Sequence, residues 1–361
     1  MHRSIPGDRR IERGTRGDSL RRLVLFVAGL VAPAAFSAAH AEDAPDLDRM
    51  TFLEENDSLY FNTDRHYTQG LRISDLRPIV DAQSGWNEPF NFFNGLGPVF
   101  APAAGGNVAR HYSIFAGQSF FTPKDVNRKP PDPADRPYAG WLYAGVSLLQ
   151  DSDHATLENL ELQLGVVGPA AFGEEVQNKY HQFIGAVHAS GWNSQIRDEP
   201  GLTLSYDRYW RFPLLGDDSV GIDVVPSAGA TLGNIFTYGQ VGALFRVGSG
   251  LKADYGPARI RPALSGTDYF DGAYARDRFG YYFFAGTQGR VVGRNILLDG
   301  NSFRQSASAT KKILVADVQA GFSVFWSTAV RADFSVVERS PEFDGQHGPD
   351  PIGTASLSFS W

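Results

Sequence analysis

The sequence predicts an all-β protein, a transmembrane antiparallel β-barrel of about twelve strands with a short helix in an extracellular loop. Three observations predict this fold. Apolar and polar side chains alternate over stretches of about ten residues, which suits tilted membrane strands better than the roughly five to six residues of soluble strands. Beyond the N-terminus, no segment reaches the roughly 18 consecutive apolar residues that a membrane helix needs. The chain also ends on an aromatic residue, Trp361, inside its last alternating stretch.

The alternation is clearest at the C-terminus, where Leu357, Phe359 and Trp361 are separated by serines. The same period recurs over 317–326 and 159–166. A period of two places successive side chains on opposite faces of a strand. Strands that cross lipid must close into a barrel, because an open edge would leave N–H and C=O groups unpaired in hydrocarbon.

Composition excludes several classes of function. The formal net charge of −7 disfavours a nucleic-acid partner, which would require a basic face. The chain has no cysteine, so disulfides, iron–sulfur clusters and thiolate zinc sites are impossible. Aromatic residues make up 13% of the chain, and 39 glycines with 21 prolines indicate many turns, as in an all-β protein.

The N-terminus is predicted to be a cleaved signal peptide. An arginine-rich stretch precedes the apolar run Leu23–Val31, and Ala39, His40 and Ala41 form an A-x-A cleavage site. A membrane anchor is the alternative, but the run is too short and Pro33 interrupts it. We expect residues 1–41 to be removed and residues 42–361 to form the barrel domain.

The predicted strands are even in number, as in bacterial barrels. They are 49–57, 67–76, 109–121, 139–151, 154–167, 201–212, 219–234, 240–248, 279–292, 312–326, 328–339 and 354–361. With both termini in the periplasm, the exterior loops are near 58–66, 122–138, 168–200, 235–239, 293–311 and 340–353. The long segments 77–108 and 249–278 then face the periplasm, where short turns are usual.

One segment of the third exterior loop breaks the β pattern. Residues 174–184 are good helix formers, and two acidic residues in the first turn complement the helix dipole. Gln177 and His181 are four positions apart and therefore share one face of this helix.

Polar clusters reach the exterior rim from separate strands. They are Asn56 and Asp57, the run 67–70, residues 122–129 with Arg128 and Lys129, and the run 135–140 with Arg136. The alternation of the second strand predicts that Thr68 points into the lumen with Arg72 and Ser74.

These residue types suit ester hydrolysis. A histidine is a natural general base near neutral pH, and a carboxylate with carbonyl oxygens can hold a hard cation such as Ca²⁺. The cation would stabilise an oxyanion, and basic loop residues would hold lipid phosphates.

Every one of these features also has a structural interpretation. His181 can simply pack on its helix, Asn56 and Asp57 can form a turn, Asp135 can pair with Arg136, and Arg128 and Lys129 can be a solvated charged pair. His66, in the first exterior loop, is the rival general base.

Several motifs in order resemble the outer-membrane lipid A deacylase family, LpxR. They are Glu55-Asn56-Asp57, the runs 64–70, 135–140 and 165–169, Val176-Gln177-Asn178-Lys179-Tyr180-His181 and Gly191-Trp192. The resemblance runs from about residue 48 to the C-terminus and is strongest between 54 and 210.

The resemblance implies a twelve-stranded barrel that removes the 3′-acyloxyacyl chain of lipid A by Ca²⁺-dependent ester hydrolysis, between the wall and a loop helix. It implies that His181 is the general base, that Asn56 and Thr68 belong to the catalytic site, and that Asp57 is a metal ligand. Gln177, on the same helix face as His181, is expected to belong to the catalytic site as well. Arg128, Lys129 and Arg136 are the expected substrate-binding residues, with Arg128 or Lys129 in the position of a family lysine.

The leading hypothesis is therefore an exported outer-membrane esterase that acts on lipid A of lipopolysaccharide, and that relies on the barrel-assembly machinery for insertion. Two alternatives stay open. A phospholipase A-like barrel would need an essential serine, which the sequence does not place. A non-enzymatic barrel would act as a channel or a structural protein.

Overall fold

The computed structural model describes residues 47–57, 65–101, 106–184, 188–217, 219–263 and 267–360. The predicted signal peptide, residues 1–41, lies outside these described residues, as does Trp361. The described residues form one large antiparallel sheet with four helices and three short 3₁₀ turns.

The strands agree closely with the alternating stretches. Their bounds are β1 Arg49–Asn56, β2 His66–Pro78, β3 Val108–Thr122, β4 Ala139–Ser152, β5 Thr156–Val167, β6 Glu199–Trp210, β7 Phe212–Gly216, β8 Gly221–Gly233, β9 Phe236–Ser249, β10 Phe279–Asn295, β11 Leu314–Trp326, β12 Val330–Arg339 and β13 Asp350–Ser360.

The sheet closes on itself. β1 pairs with both β2 and β13, and β6 pairs with β8 to complete the ring. The short strand β7 follows β6 and pairs with the same neighbouring strand, β8. β6 and β7 therefore count as one interrupted strand of the barrel. With β6 and β7 counted as one, the wall is a closed barrel of twelve strands, which confirms the predicted fold and strand number.

The wall is apolar outside and polar inside. Leu71, Ile73 and Ile114 project outward and are exposed. On the inner face, Asp317 accepts from Arg339 Nε at 3.0 Å and lies 3.2 Å from Arg290 Nη2. Soluble proteins have the opposite distribution, with apolar side chains inside. The distribution here matches a barrel whose outer face meets lipid.

The two ends of the barrel differ in their connections. Following the predicted orientation, we call the end at which β1 begins and β13 finishes the periplasmic end, and the opposite end the exterior end. Tight turns at Asp153 and Ser327 join strands at the periplasmic end, as predicted. Within the described residues, no helix is long and apolar enough to cross a membrane.

The long segment after β9 turns back into the lumen, which the sequence did not predict. Its described residues, 250–263 and 267–278, are called the lumen segment. The segment starts at the periplasmic end, and Ile260 packs on Leu53 of β1. Arg259 Nε donates to Glu55 at 3.0 Å, and Arg261 Nε donates to Glu161 at 2.7 Å. Its length is explained because it fills the lumen instead of crossing the periplasmic surface.

Four helices accompany the sheet among the described residues. They are α1 Asn87–Leu96, α2 Gly173–Ile184, α3 Gly272–Ala275 and α4 Ile296–Asp299. α2 confirms the helix predicted in the third exterior loop. α1 lies in the other long periplasmic segment, 77–108, and α3 belongs to the lumen segment.

Candidate active site between the outer wall and a loop helix

Helix α2 begins close against the loop that follows it. Glu174 and Glu175 occupy its first turn, where they complement the helix dipole. A Cβ atom on Gly173 would lie 2.5 Å from the Trp192 ring, so glycine permits this close approach. The helix can therefore begin directly over Trp192.

Trp192 fixes α2 to the wall. Its ring packs edge-on to Phe120 of β3, with the centroids 6.3 Å apart. Its Nε1–H donates to Oε1 of Gln177 at 2.7 Å. Gln177 and His181 are only 1% and 5% exposed, so the helix turns this polar face toward the barrel. The predicted shared face of these two residues is thus buried against the wall.

The wall beneath α2 is the outer face of the barrel. Phe121 points into the lumen, where it stacks on Tyr67 with centroids 5.0 Å apart. Phe120, its neighbour along β3, therefore points outward, toward Trp192. The space between α2 and this outer face, which we call the cleft, therefore lies on the lipid side of the wall and not in the lumen.

A β-bulge places Thr68 on this outer face. Tyr67 pairs with Phe121 and Gln69 with Phe120, so Thr68 is the extra residue of the bulge. Its Oγ1 lies 2.8 Å from Oγ1 of Thr122, which follows lumen-facing Phe121. The expectation that Thr68 points into the lumen is therefore wrong, because the bulge breaks the alternation on which it relied.

The end of β1 lies under the same helix. Glu54 faces outward, because its neighbour Glu55 accepts from Arg259 in the lumen. Burial and the charge of nearby Glu54 raise the pKa of Tyr180 to about 12, so Tyr180 of α2 lies near the face of β1 that carries Glu54. Asn56 shares that face by alternation, is buried, and pairs in register with Gln69. α2 thus extends from β3 to β1, across the bulge that holds Thr68.

Asp57 lies at the rim, directly after β1. It is buried, and its Oδ2 accepts from the backbone N–H of Arg65 at 2.6 Å. Asn56, Asp57 and Thr68 offer amide, carboxylate and hydroxyl oxygens, a donor set that suits a hard cation such as Ca²⁺. Among the described residues, no three His, Asp or Glu side chains form a metal-binding group. A cation here would therefore have fewer than three His, Asp or Glu ligands from the described residues.

The predicted substrate-binding residues lie apart from one another. Arg128 and Lys129 are exposed in the exterior loop 123–138, where Arg128 pairs with Asp132. Arg136 is only 1% exposed; its guanidinium lies 4.4 Å from the Phe121 centroid and 3.5 Å from Glu342. Arg128 and Lys129 are thus exposed at the surface, whereas Arg136 is buried inside the rim.

His66, the rival base, is held between two carboxylates. Nδ1 lies 2.6 Å from Asp350 and Nε2 lies 3.5 Å from Asp135. Burial opposes ionisation of Asp135, but hydrogen bonds from His66 and from the backbone of Lys124 and Arg136 outweigh it and lower the pKa of Asp135. With both ring nitrogens facing carboxylates, His66 links β2 to the exterior loop before β4 and to the start of β13.

Sequence reasoning missed Glu54, Tyr180 and the contact of Trp192 with the helix. Glu54 did carry a signal. A carboxylate at an outward position of a membrane strand is unfavourable unless another element covers it. Here α2 is that element, so an outward acidic residue would have indicated where the loop helix lies.

The geometry can now be set beside known proteins. A family model described as outer membrane protein LpxR matches residues 23–361. LpxR from Salmonella typhimurium shares the fold with a TM-score of 0.67 and 22% identity, over 87% of this chain and 100% of that chain. The β domain of the Bordetella autotransporter Brka aligns at 11% identity over 88% and 100% of the two chains, with a TM-score of 0.42. No curated protein matches the chain.

Proposed function

Because the chain belongs to the LpxR family of outer membrane proteins, we propose that it is an esterase that removes the 3′-acyloxyacyl chain of lipid A. One observation carries the proposal. Gln177 and His181 are buried between α2 and the outer wall, at the exterior end of a lipid-facing surface. Burying polar side chains there is costly, and packing alone does not require it.

The position of the cleft suits a lipid substrate. The ester bonds of lipid A lie where acyl chains meet the sugar headgroup, at the boundary of the exterior leaflet. A substrate moving laterally in that leaflet would reach the outer face of β1–β3 without leaving the membrane. Arg128 and Lys129, exposed in the exterior loop 123–138, would bind its phosphates.

The chemistry proposed for His181 is general-base catalysis. Its imidazole takes a proton from a water molecule, whose oxygen attacks the carbonyl carbon of the ester. The bond between the carbonyl carbon and the sugar oxygen then breaks, and the imidazolium gives its proton to that sugar oxygen. The products are a free fatty acid and the sugar hydroxyl.

The remaining residues would orient the ester. Asn56 and Thr68 present amide and hydroxyl groups from the wall opposite His181. Because Oε1 of Gln177 accepts from Trp192, its amide group is held in one orientation with NH₂ as the donor. Asn56 and Asp57 would hold Ca²⁺, which would supply positive charge to a developing oxyanion.

The structure disfavours the channel alternative. The lumen segment crosses the interior and joins separate strands of the wall, since Arg259 pairs with Glu55 of β1 and Arg261 pairs with Glu161 of β5. A wide water-filled path, as in porins, needs a lumen that side chains do not fill. The phospholipase alternative is separated from lipid A deacylation by its products.

The test is mass spectrometry of lipid A from cells that produce the wild type, His181→Ala or His347→Ala. His347 is exposed in another exterior loop and is the matched control. We expect the mass of one acyloxyacyl chain to be lost with the wild type and the control only. Full activity of a folded His181→Ala barrel would overturn the role of His181. Unchanged lipid A with release of lysophospholipid would favour the phospholipase.

A further inference from the structure

Helix α1 is amphipathic, and only part of its apolar side packs against the protein. Viewed down its axis, the apolar side chains cover one side and the asparagines cover the other; the apolar set is Trp86, Pro89, Phe90, Phe92, Phe93 and Leu96. Phe90 is fully buried, but Phe92 and Leu96 are 61% and 70% exposed. Part of the apolar arc therefore faces away from the protein.

The buried part of the arc packs on the outside of the barrel. Phe90 clusters with Leu148 of β4 and Leu160 of β5. These leucines face outward, because their neighbours Ser147 and Glu161 hydrogen-bond to each other inside the lumen at 3.2 Å. α1 thus covers a part of the wall that would otherwise face lipid.

The outward side chains of β3 beside α1 show at which depth of the membrane the helix lies. Outward residues of β3 change from apolar Ile114, through Tyr112, to charged Arg110 toward the periplasmic end. Trp86, directly before α1, stacks on Tyr112 with centroids 4.0 Å apart. Arg110 Nη1 donates to Asn87 at 3.0 Å. This order of apolar, aromatic and charged residues marks the boundary between acyl chains and headgroups.

We propose that α1 is an interfacial helix that inserts Phe92 and Leu96 into the periplasmic leaflet of the membrane. The exposed apolar side chains continue the lipid-facing band of the wall at the level of its aromatic girdle, so phospholipid acyl chains are the partner that this surface fits. The helix holds one charged residue, Glu88, so its binding is apolar and independent of anionic lipid.

The absence of cysteine makes a clean test possible, because a single introduced cysteine is the only labelling site. Phe92→Cys, Leu96→Cys and the control Asn94→Cys would each carry an environment-sensitive nitrobenzoxadiazole dye. Asn94 is exposed on the asparagine side of the same helix. Each labelled barrel is reconstituted into phosphatidylcholine vesicles with and without brominated acyl chains.

We expect dye at positions 92 and 96 to emit at shorter wavelength and to lose intensity with the brominated lipid, whereas dye at position 94 behaves as in water. Two positions are used so that one disturbed variant does not decide the result. Equal, water-like emission at all three positions would overturn the proposal. A blue shift that ignores brominated lipid and grows with protein density would assign the surface to a second copy of the chain instead.

Discussion

Two helices pack on the outer wall of this barrel, at opposite ends, and they bury opposite kinds of side chain. At the exterior end, α2 turns Gln177 and His181 toward the wall. At the periplasmic end, α1 turns Phe90 toward the wall and leaves Phe92 and Leu96 exposed.

The difference separates two uses of the same device. A helix that buries polar groups beside lipid accepts an energetic cost that packing cannot explain, which points to chemistry. A helix that exposes large apolar groups beside a lipid-facing band points to membrane contact. Substitutions in α2 should therefore lower activity, whereas substitutions in α1 should lower stability.

The largest effect is expected from His181→Ala. A general base contributes about 10²- to 10⁴-fold to a rate, so deacylation by the purified variant should fall by about that factor. The measurement is the rate of fatty-acid release from lipid A in detergent. Phe90→Ala is the control from the other helix, and its rate per folded molecule should match the wild type.

The next effect is on stability and belongs to α1. Phe90→Ala removes a buried aromatic ring, and such changes typically cost about 3–5 kcal/mol. Denaturant unfolding followed by tryptophan fluorescence, or proteolysis within 79–107, would detect the loss. Phe92→Ala is the matched variant, since its exposed ring should matter little in detergent. Equal losses in both variants would mean that α1 does not dock as described.

A smaller effect is expected from Trp192→Phe, which keeps an aromatic ring but removes the N–H that holds Gln177. An unpaired buried acceptor costs about 1–3 kcal/mol, and 1.4 kcal/mol corresponds to about tenfold in rate. We expect kcat to fall about tenfold with little change in KM, because the amide is misoriented while the cleft remains. A change confined to KM would contradict this positioning role.

A smaller effect again concerns pH. Because the pKa of Asp135 is lowered in the folded protein, its contribution to stability is present above the ordinary carboxyl pKa of about 3.9 and is lost as pH falls through the folded value. The melting temperature should therefore decline below about pH 4, and less steeply in Asp135→Asn. Identical pH profiles would show that the contact with His66 contributes nothing.

A second stability test addresses His66 itself. His66→Ala leaves Asp135 and Asp350 facing each other without the imidazole between them. We expect a lower melting temperature and an unchanged rate per folded molecule. A loss of rate comparable to that of His181→Ala would instead make His66 the general base.

Local pattern alone determined the barrel and the loop helix. Alternation specifies which stretches become strands, because lipid leaves closed barrels as the only arrangement that pairs every backbone group of such strands. Residues 174–184 combine helix formers with an acidic first turn, so α2 was predictable. The shared face of Gln177 and His181 followed from helical spacing.

Tertiary structure decided the features that depend on distant residues. α1 contains Pro89, Gly95 and three asparagines, which are weak helix formers, and it is stabilised by Phe90 docking on the wall. One bulge residue moves Thr68 from the lumen to the outer face. His66 meets Asp350, 284 positions away, only when the barrel closes. Sequence periodicity reports the local backbone, whereas these contacts require the closed wall to bring separate strands together.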